Sequence, residues 1–347
     1  MSPRIRSFSK LVLELDSALK AFQSSDAKFR VLKTVYPPSR SRGEERAEEG
    51  KEEEEEEEEY YEDLSSPLPP PKTLFILDSS FNPPSIAHAA LAQSAFLDDC
   101  NSSSQQQHQK KEHEFPHRLL LLFAVTNADK IAAPASFEHR LAMMTCFARD
   151  LQDFFCEFHH QPMAIDIGVT KYPFYTDKSR AIESEQGQKF YPTHPRHIHL
   201  LGYDTLTRIF TAKYYIQQQQ QFDPPFAALQ PYFDKGYELR VTLRPDSTSS
   251  SSSSSVEKED QKTSFLQTLT DPRGEMQKNG AQALWARQIE FVSPQDAEMG
   301  VSSTRIREAV GKGEWEVVRE LCTPRVARWV EREGLYLGEE RNGGRKK

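Results

Sequence analysis

The chain has 347 residues and a formal net charge of −8, and hydrophobic residues make up 37% of it, below the roughly 45–50% apolar content of globular chains, a range that also counts glycine. One glutamate run, Glu52 to Glu59, carries eight of the 52 acids, and without it acids match the 44 bases. This argues against a nucleic-acid binder relying on bulk charge; no stretch approaches the ~20 apolar residues of a membrane span, and Cys100, Cys146, Cys156 and Cys322 form no CxxC pair of the kind a zinc site or disulfide framework uses.

The first segment, 1–36, has basic residues but no leader-like apolar stretch, since Glu14, Asp16 and Lys20 interrupt it. The expectation is an intracellular protein, cytoplasmic or nuclear, with reduced thiols. Leu11, Leu13, Leu15, Leu19, Phe22, Phe29, Val31 and Leu32 recur at helical spacing, which predicts one or two docking helices. Residues 37–72 mix arginine, the glutamate run and prolines, and read as a disordered linker.

From 73 the texture changes. TLFILD (73–78), LLLLFAV (119–125), MAIDIGV (163–169), HIHLLG (197–202), YELRVTL (237–243) and RQIEFV (287–292) are short apolar runs expected of buried strands. Helical stretches are expected at Ile86–Phe96, Phe137–Phe155 and Thr205–Tyr214, and from Thr304 to about Gly334. Alternating strand and helix predicts an α/β domain over 73–335, a Rossmann-like doubly wound parallel sheet with a helical C-terminal region. Low-complexity inserts near 101–111, 217–221 and 246–261 read as disordered surface loops, and 336–347 as a disordered tail.

Two segments sit where such a sheet binds ligands. Asp78-Ser-Ser-Phe-Asn-Pro-Pro-Ser-Ile-Ala-His88 follows the first strand of this domain and opens a helix. Free N–H groups there attract phosphate, and His88 lies one turn in. Val301-Ser-Ser-Thr-Arg-Ile-Arg307 precedes the C-terminal helices, with Ser302, Ser303 or Thr304 as cap and two guanidinium groups nearby. Taken singly, each is equally a plain strand–turn–helix junction or an ordinary helix cap. No Walker-type run and no G-x-G-x-x-G occurs. Tyr172, Phe174 and Tyr175 offer stacking faces beyond the third strand, with core packing as the alternative. His194, His197 and His199 suggest a partly exposed strand entrance. Cys156, His159 and His160 lack a fourth metal ligand at suitable spacing, and Trp285, Trp315 and Trp329 read as core.

Taken together, the two segments resemble the nucleotidylyltransferase superfamily and, within it, a divergent fungal-type branch of the nicotinamide mononucleotide adenylyltransferases. The family's G-S-F-N-P-x-H-x-G-H appears as S-S-F-N-P-P-S-I-A-H, and its I-S-S-T-x-I-R as V-S-S-T-R-I-R. AVTNADKIAAPASFEHRLAMM and LLGYD are similar to two further family segments. The resemblance covers residues 73–333 and implies adenylyl transfer from ATP, accompanied by Mg²⁺, to nicotinamide mononucleotide, giving NAD and pyrophosphate. It implies His88, Lys130 and Arg307 as catalytic residues. ATP would meet Ser79, Ser80, Phe81, Asn82, Ser85, His88, Ser302, Ser303, Thr304 and Arg307. The mononucleotide would meet Lys130, Arg140, Phe174, Tyr175, Gly202 and Asp204. No metal-ligating residue, nucleic-acid partner, membrane contact or particular protein partner is implied. Ser85 and Ala87 depart from the H-x-G-H pattern, so one phosphate-binding imidazole is missing. A cytidylyltransferase or other nucleotidylyltransferase of the same fold, or a catalytically decayed interaction module, are the competing readings.

Overall fold

A computed structural model describes residues 4–37, 70–95, 117–125, 135–159, 163–216, 222–243, 254–292 and 301–337, the side chains of 4–9, 159 and 254–258 excepted. Most of the linker, the glutamine-rich inserts and Lys130 lie outside these residues.

Seven strands form one sheet: β1 (Phe29–Val35), β2 (Thr73–Asp78), β3 (His117–Ala124), β4 (Ala164–Thr170), β5 (Arg196–Gly202), β6 (Glu238–Thr242) and β7 (Ile289–Val292). Their order is β1-β4-β3-β2-β5-β6-β7. All pairs are parallel except β1 with β4. Without β1, this is the doubly wound order in which the chain starts at the centre and reverses direction. The reversal falls between β2 and β5, so the crevice beyond their carboxyl ends is where a ligand belongs.

The apolar runs are strands because both faces are covered. Phe75 and Leu77 of β2, with Leu119, Leu121 and Phe123 of β3, join a core shared with α1 (Arg4–Gln23), α2 (Ile86–Gln93), α3 (Phe137–Phe154), α10 (Ser303–Lys312), α11 (Trp315–Leu321) and α12 (Pro324–Arg332). Leu74, Ile76, Leu120 and Leu122 point the other way, onto α4 (Tyr175–Glu183). A further core around Trp285, which stacks on Phe233 at 4.7 Å and 17°, lies beneath β5 and β6 and takes in residues of α7 (Gln230–Asp234) and α9 (Glu275–Lys278). Each fully buried aromatic there contributes roughly 1.5–3 kcal/mol. Trp285 and Trp329 are core, as expected, and Trp315 is half-buried.

The structure corrects four expectations. Residues 29–35 are a strand, not the end of a helical segment: the aromatic and β-branched residues Phe29, Val31, Thr34 and Val35 suit an edge strand, and β4 supplies the partner. Residues 254–261, expected in a disordered insert, open helix α8 (Ser254–Thr270), which buries Phe265 and Leu269 against the second core. The stretch Thr205–Tyr214 is broken into α5 (Tyr203–Ile209) and α6 (Lys213–Ile216). Finally, the supposed disordered tail begins too early, because Tyr336 is buried. Gly334 at φ 59° ends α12 and turns the chain inward, a conformation that costs glycine nothing.

The ends of β1 and β2 fix what the linker must span. Val35 pairs with Ile165 at the start of β4, and Thr73 opens β2 at that same sheet end, three strand positions away. At ~4.8 Å per strand the gap is about 14 Å. Roughly five extended residues bridge it at ~3.4 Å each. Deleting residues 40–70 leaves 36–39 and 71–72, which suffices, so the melting temperature is expected to stay within a few degrees. Loss of soluble expression in the deletion variant would show that the linker is part of the folded body.

Candidate active site

β2 ends at Asp78, whose carboxylate is bonded to the ammonium of Lys178 on α4, both side chains being buried. The loop that follows bends sharply. Phe81 takes a left-handed φ of 43°, held there by complete burial beside the rings of His88 (5.4 Å) and Phe147 (6.3 Å). The Asn82–Pro83 peptide is cis.

This loop and the start of α10 are fastened together across more than 200 residues of sequence. Ser303 Oγ donates to the carbonyl of Pro83 at 2.8 Å, and an Arg307 Nη1–H donates to the carbonyl of Asn82 at 2.9 Å. Ser302 caps α10 by accepting from the Arg305 N–H at 3.2 Å. Thr304 accepts from Arg307 Nη2 at 3.2 Å. The two segments singled out in the sequence therefore form one structure, with the N-termini of α2 and α10 brought together. Tyr336 closes it from behind: its hydroxyl donates to Asn82 Oδ1 at 2.8 Å. Arg325 delivers that tail, since its N–H and guanidinium bond Asp150 of α3 at 3.0 and 2.9 Å.

His88 projects into the loop between two serines. Its Nε2 lies 2.8 Å from Ser79 Oγ, and its Nδ1 lies 2.8 Å from Ser85 Oγ and 3.1 Å from the Ser85 N–H. Ser85 is 1% exposed and faces the histidine, while Ser79, Ser80 and His88 remain partly open. The residue that departs from the family pattern is thus spent on orienting the histidine that remains.

Arg140 of α3 is 1% exposed. Its Nε donates to the Ala135 carbonyl at 3.0 Å, and its guanidinium lies over Phe123 and Phe137 at 5.6 and 5.7 Å. Burial lowers its pKa, with Tyr336 opposing and Arg307 adding to the shift, so all three share one neighbourhood. Among the described residues its Nη2 has no hydrogen-bond partner. A buried unsatisfied donor of this kind is costly unless something accepts from it. Gly202 closes β5 beside β2, and Asp204 stands exposed in the first turn of α5.

Phe174, in the N-cap position of α4, is partly open; Tyr175 is the first residue of that helix. The Tyr175 ring is already occupied, with His199 edge-on at 5.1 Å and the Lys178 ammonium at 5.1 Å. Phe174 is the better stacking face. The sequence reading missed Lys178 and Tyr336, and neither carries a local motif that could have revealed it.

His197 and His199 do not mark an exposed strand entrance: both are fully buried, and His194 alone is exposed. His199 Nδ1 donates to Tyr232 Oη at 2.9 Å, because that hydroxyl itself donates to the Glu238 carbonyl at 2.7 Å. His197 stacks on Tyr237 at 4.2 Å and 18°. Burial is the main cause that pushes His197 from 6.5 down to about 3. Between those values the unfolded chain binds a proton that the folded chain lacks. The stability that the neutral His197 contributes is therefore full above pH about 6.5 and is lost as pH drops toward about 3. Urea unfolding of His197→Phe against the parent is expected to show a shallower loss with acid, by up to one proton; parallel curves would show that His197 does not titrate this way.

No family model matches the chain. It is 28% identical over 251 residues to a Schizosaccharomyces pombe protein described as a "Putative nicotinamide mononucleotide adenylyltransferase", covering 72% of this chain and 80% of that one. Among solved structures, a Plasmodium falciparum nicotinic acid mononucleotide adenylyltransferase complexed with NaAD aligns with 76% of this chain and 97% of its own, at 11% identity and a TM-score of 0.42. Thermotoga maritima TmcAL bound with alpha-thio ATP aligns with 76% and 56%, at 13% identity and a TM-score of 0.33. The sequence relative bears out the resemblance read from the motifs: over most of its length this chain is similar to a protein described as a nicotinamide mononucleotide adenylyltransferase.

Proposed function

We propose that this protein transfers the adenylyl group of ATP to nicotinamide mononucleotide, forming NAD and pyrophosphate. The observation that carries the reading is the joining of the two helix N-termini, α2 and α10, through Ser303, Arg307 and the 79–85 loop at the sheet's reversal point. Helix starts present unpaired N–H groups and partial positive charge to phosphate, and the named relative points to the same reaction.

The chemistry asks little of acids and bases. A phosphate monoester, with a second pKa of about 6, is already mostly a dianion at neutral pH. One of its oxygens bonds to the α-phosphorus as the bond from that phosphorus to the bridging oxygen breaks, and pyrophosphate leaves with the electron pair. The protein holds two anions together and stabilises charge on the leaving group. His88, Ser79 and the α2 N-terminus face one part of the triphosphate; Arg307 and the start of α10 face another. The unpaired Nη2 of Arg140 suits the mononucleotide phosphate, as does Lys130. Among the described residues no group of three acidic, histidine or cysteine side chains could hold a metal, and Asp78 is engaged by Lys178. Mg²⁺ would enter with the triphosphate and would supply charge neutralisation to its oxygens.

Incubation with ATP, Mg²⁺ and either nicotinamide or nicotinic acid mononucleotide, with the dinucleotide detected enzymatically, tests the reading. Turnover only with CTP and a phosphorylated alcohol would replace it with a cytidylyltransferase, and no turnover with any pair would leave an interaction module. Phe174→Ala is expected to raise KM for the mononucleotide by the equivalent of ~1–3 kcal/mol, the worth of one base–aromatic stack, with KM for ATP nearly unchanged. Equal rises for both substrates would return Phe174 to a packing role.

A further inference from the structure

The contact between Ser79 Oγ and His88 Nε2 admits two opposite chemistries. If Nε2 accepts from the hydroxyl, Ser79 and His88 are a nucleophile and its base, the arrangement of serine hydrolases. If Nε2 carries the proton, His88 is a donor and Ser79 an acceptor that passes the hydrogen bond onward. The distance alone, 2.8 Å, fits both.

Ser85 decides between them. Its backbone N–H points at Nδ1 from 3.1 Å. A backbone N–H can only donate, so Nδ1 must offer its lone pair. In a neutral imidazole the proton then sits on Nε2. The Ser85 hydroxyl, 2.8 Å from the same nitrogen, reinforces this by donating too. An imidazolium would set a second N–H against the Ser85 N–H. Ser85 is buried and its backbone is fixed as the N-cap of α2, so water does not compete at Nδ1 and the loop does not readily turn away.

We propose that Ser85 is a positioning residue that holds His88 as the neutral, Nε2-protonated tautomer, making His88 a fixed hydrogen-bond donor toward the triphosphate rather than a base or a cation. Ser79, accepting from Nε2–H, keeps its own O–H to donate to a phosphate oxygen. The serine where the family pattern has its first histidine therefore supplies no phosphate contact; it sets which atom of His88 carries the proton. The catalytic consequence rests on the adenylyl-transfer reading, whereas the tautomer is a property of the loop itself.

Long-range ¹H–¹⁵N spectra of the full chain labelled with ¹⁵N-histidine, with His88 assigned by its loss in His88→Gln, read the tautomer directly. The expected result is a neutral ring protonated at Nε2 at neutral pH. Ser85→Ala loses the reinforcing hydroxyl but keeps the backbone N–H, so the Nε2-protonated tautomer should persist with a weaker preference, and kcat should fall by up to about tenfold, the loss of one orienting hydrogen bond, while KM for ATP moves less. Ser85→Thr, which keeps the hydroxyl, should restore both readings. A fluorophosphonate probe should leave Ser79 unlabelled in the parent protein. An Nδ1-protonated ring, an imidazolium, or a phosphonylated Ser79 would overturn the proposal. So would equal populations of the two tautomers in Ser85→Ala, which would show that the backbone N–H does not fix the ring. A protein that shows the Nε2-protonated ring yet turns over no substrate pair would refute the adenylyl-transfer reading and leave the tautomer standing.

Discussion

Replacing His88 with alanine is expected to lower kcat for adenylyl transfer by roughly 10²–10³, the cost of removing one preorganised donor aimed at developing charge. The size follows from how completely this donor is fixed. Ser79 and Ser85 hold both ring nitrogens, Phe81 and Phe147 flank the ring, and the loop beneath is tied to α10 and Tyr336. A donor aligned before reaction needs no reorganisation when charge appears on the leaving pyrophosphate. An interaction that strengthens in the transition state shows in kcat more than in KM. The pattern offers no second imidazole to cover the loss, since Ser85 stands where the family carries one. Steady-state kinetics with ATP varied at saturating mononucleotide check this, and full kcat in His88→Ala would show that the ring only packs its helix. Ser85→His is a useful companion: in this structure the site is buried and filled by contact with His88, so a second imidazole must move the first to enter.

What the sequence made legible follows the range of the interaction. β2 to β7 were readable because a strand buried on both faces is a continuous apolar run, and Leu74 to Leu77 announce this without any knowledge of their partners. The 79–85 loop was readable because its residues are consecutive. β1 was not, because Phe29 to Val35 fits a helical spacing as well as a strand, and only β4, more than 130 residues later, decides the matter. α8 was hidden by its polar composition, with Phe265 and Leu269 buried in the second core and Leu266 packed against it. Tyr336 and Lys178 act on the site from elements whose own sequences carry no signal. Their importance arises from where α12 docks on α3 and where α4 crosses β2. Ser85 is the instructive case. By residue type it read as a weakened phosphate ligand, and only its burial and its two contacts with Nδ1 show it turned toward His88.

Asp78→Asn is expected to cost about 3–5 kcal/mol of stability, because it leaves the Lys178 ammonium buried without its counter-charge. The pair sits at the end of β2, with side-chain exposures of 7% for Asp78 and 5% for Lys178. Water cannot screen what it does not reach, so the usual small worth of a surface ion pair does not apply here. The Tyr175 ring also lies 5.1 Å from the Lys178 ammonium, and a ring face compensates an ammonium only in part. The replacement of both charges behaves differently. Asp78→Leu with Lys178→Met removes the desolvation cost along with the attraction, and pairs of this kind exchanged for apolar groups are often neutral or stabilising. The double variant is therefore expected to recover most of the stability that Asp78→Asn loses. Its activity should not recover in step, because the pair also anchors the residue before Ser79 to the helix that begins with Tyr175. Urea unfolding of the two variants, with kcat measured on the double one, separates these roles. An Asp78→Asn protein as stable as the parent would mean that water reaches Lys178 after all, and a double variant with full kcat would mean that the strand end holds the loop without help from α4.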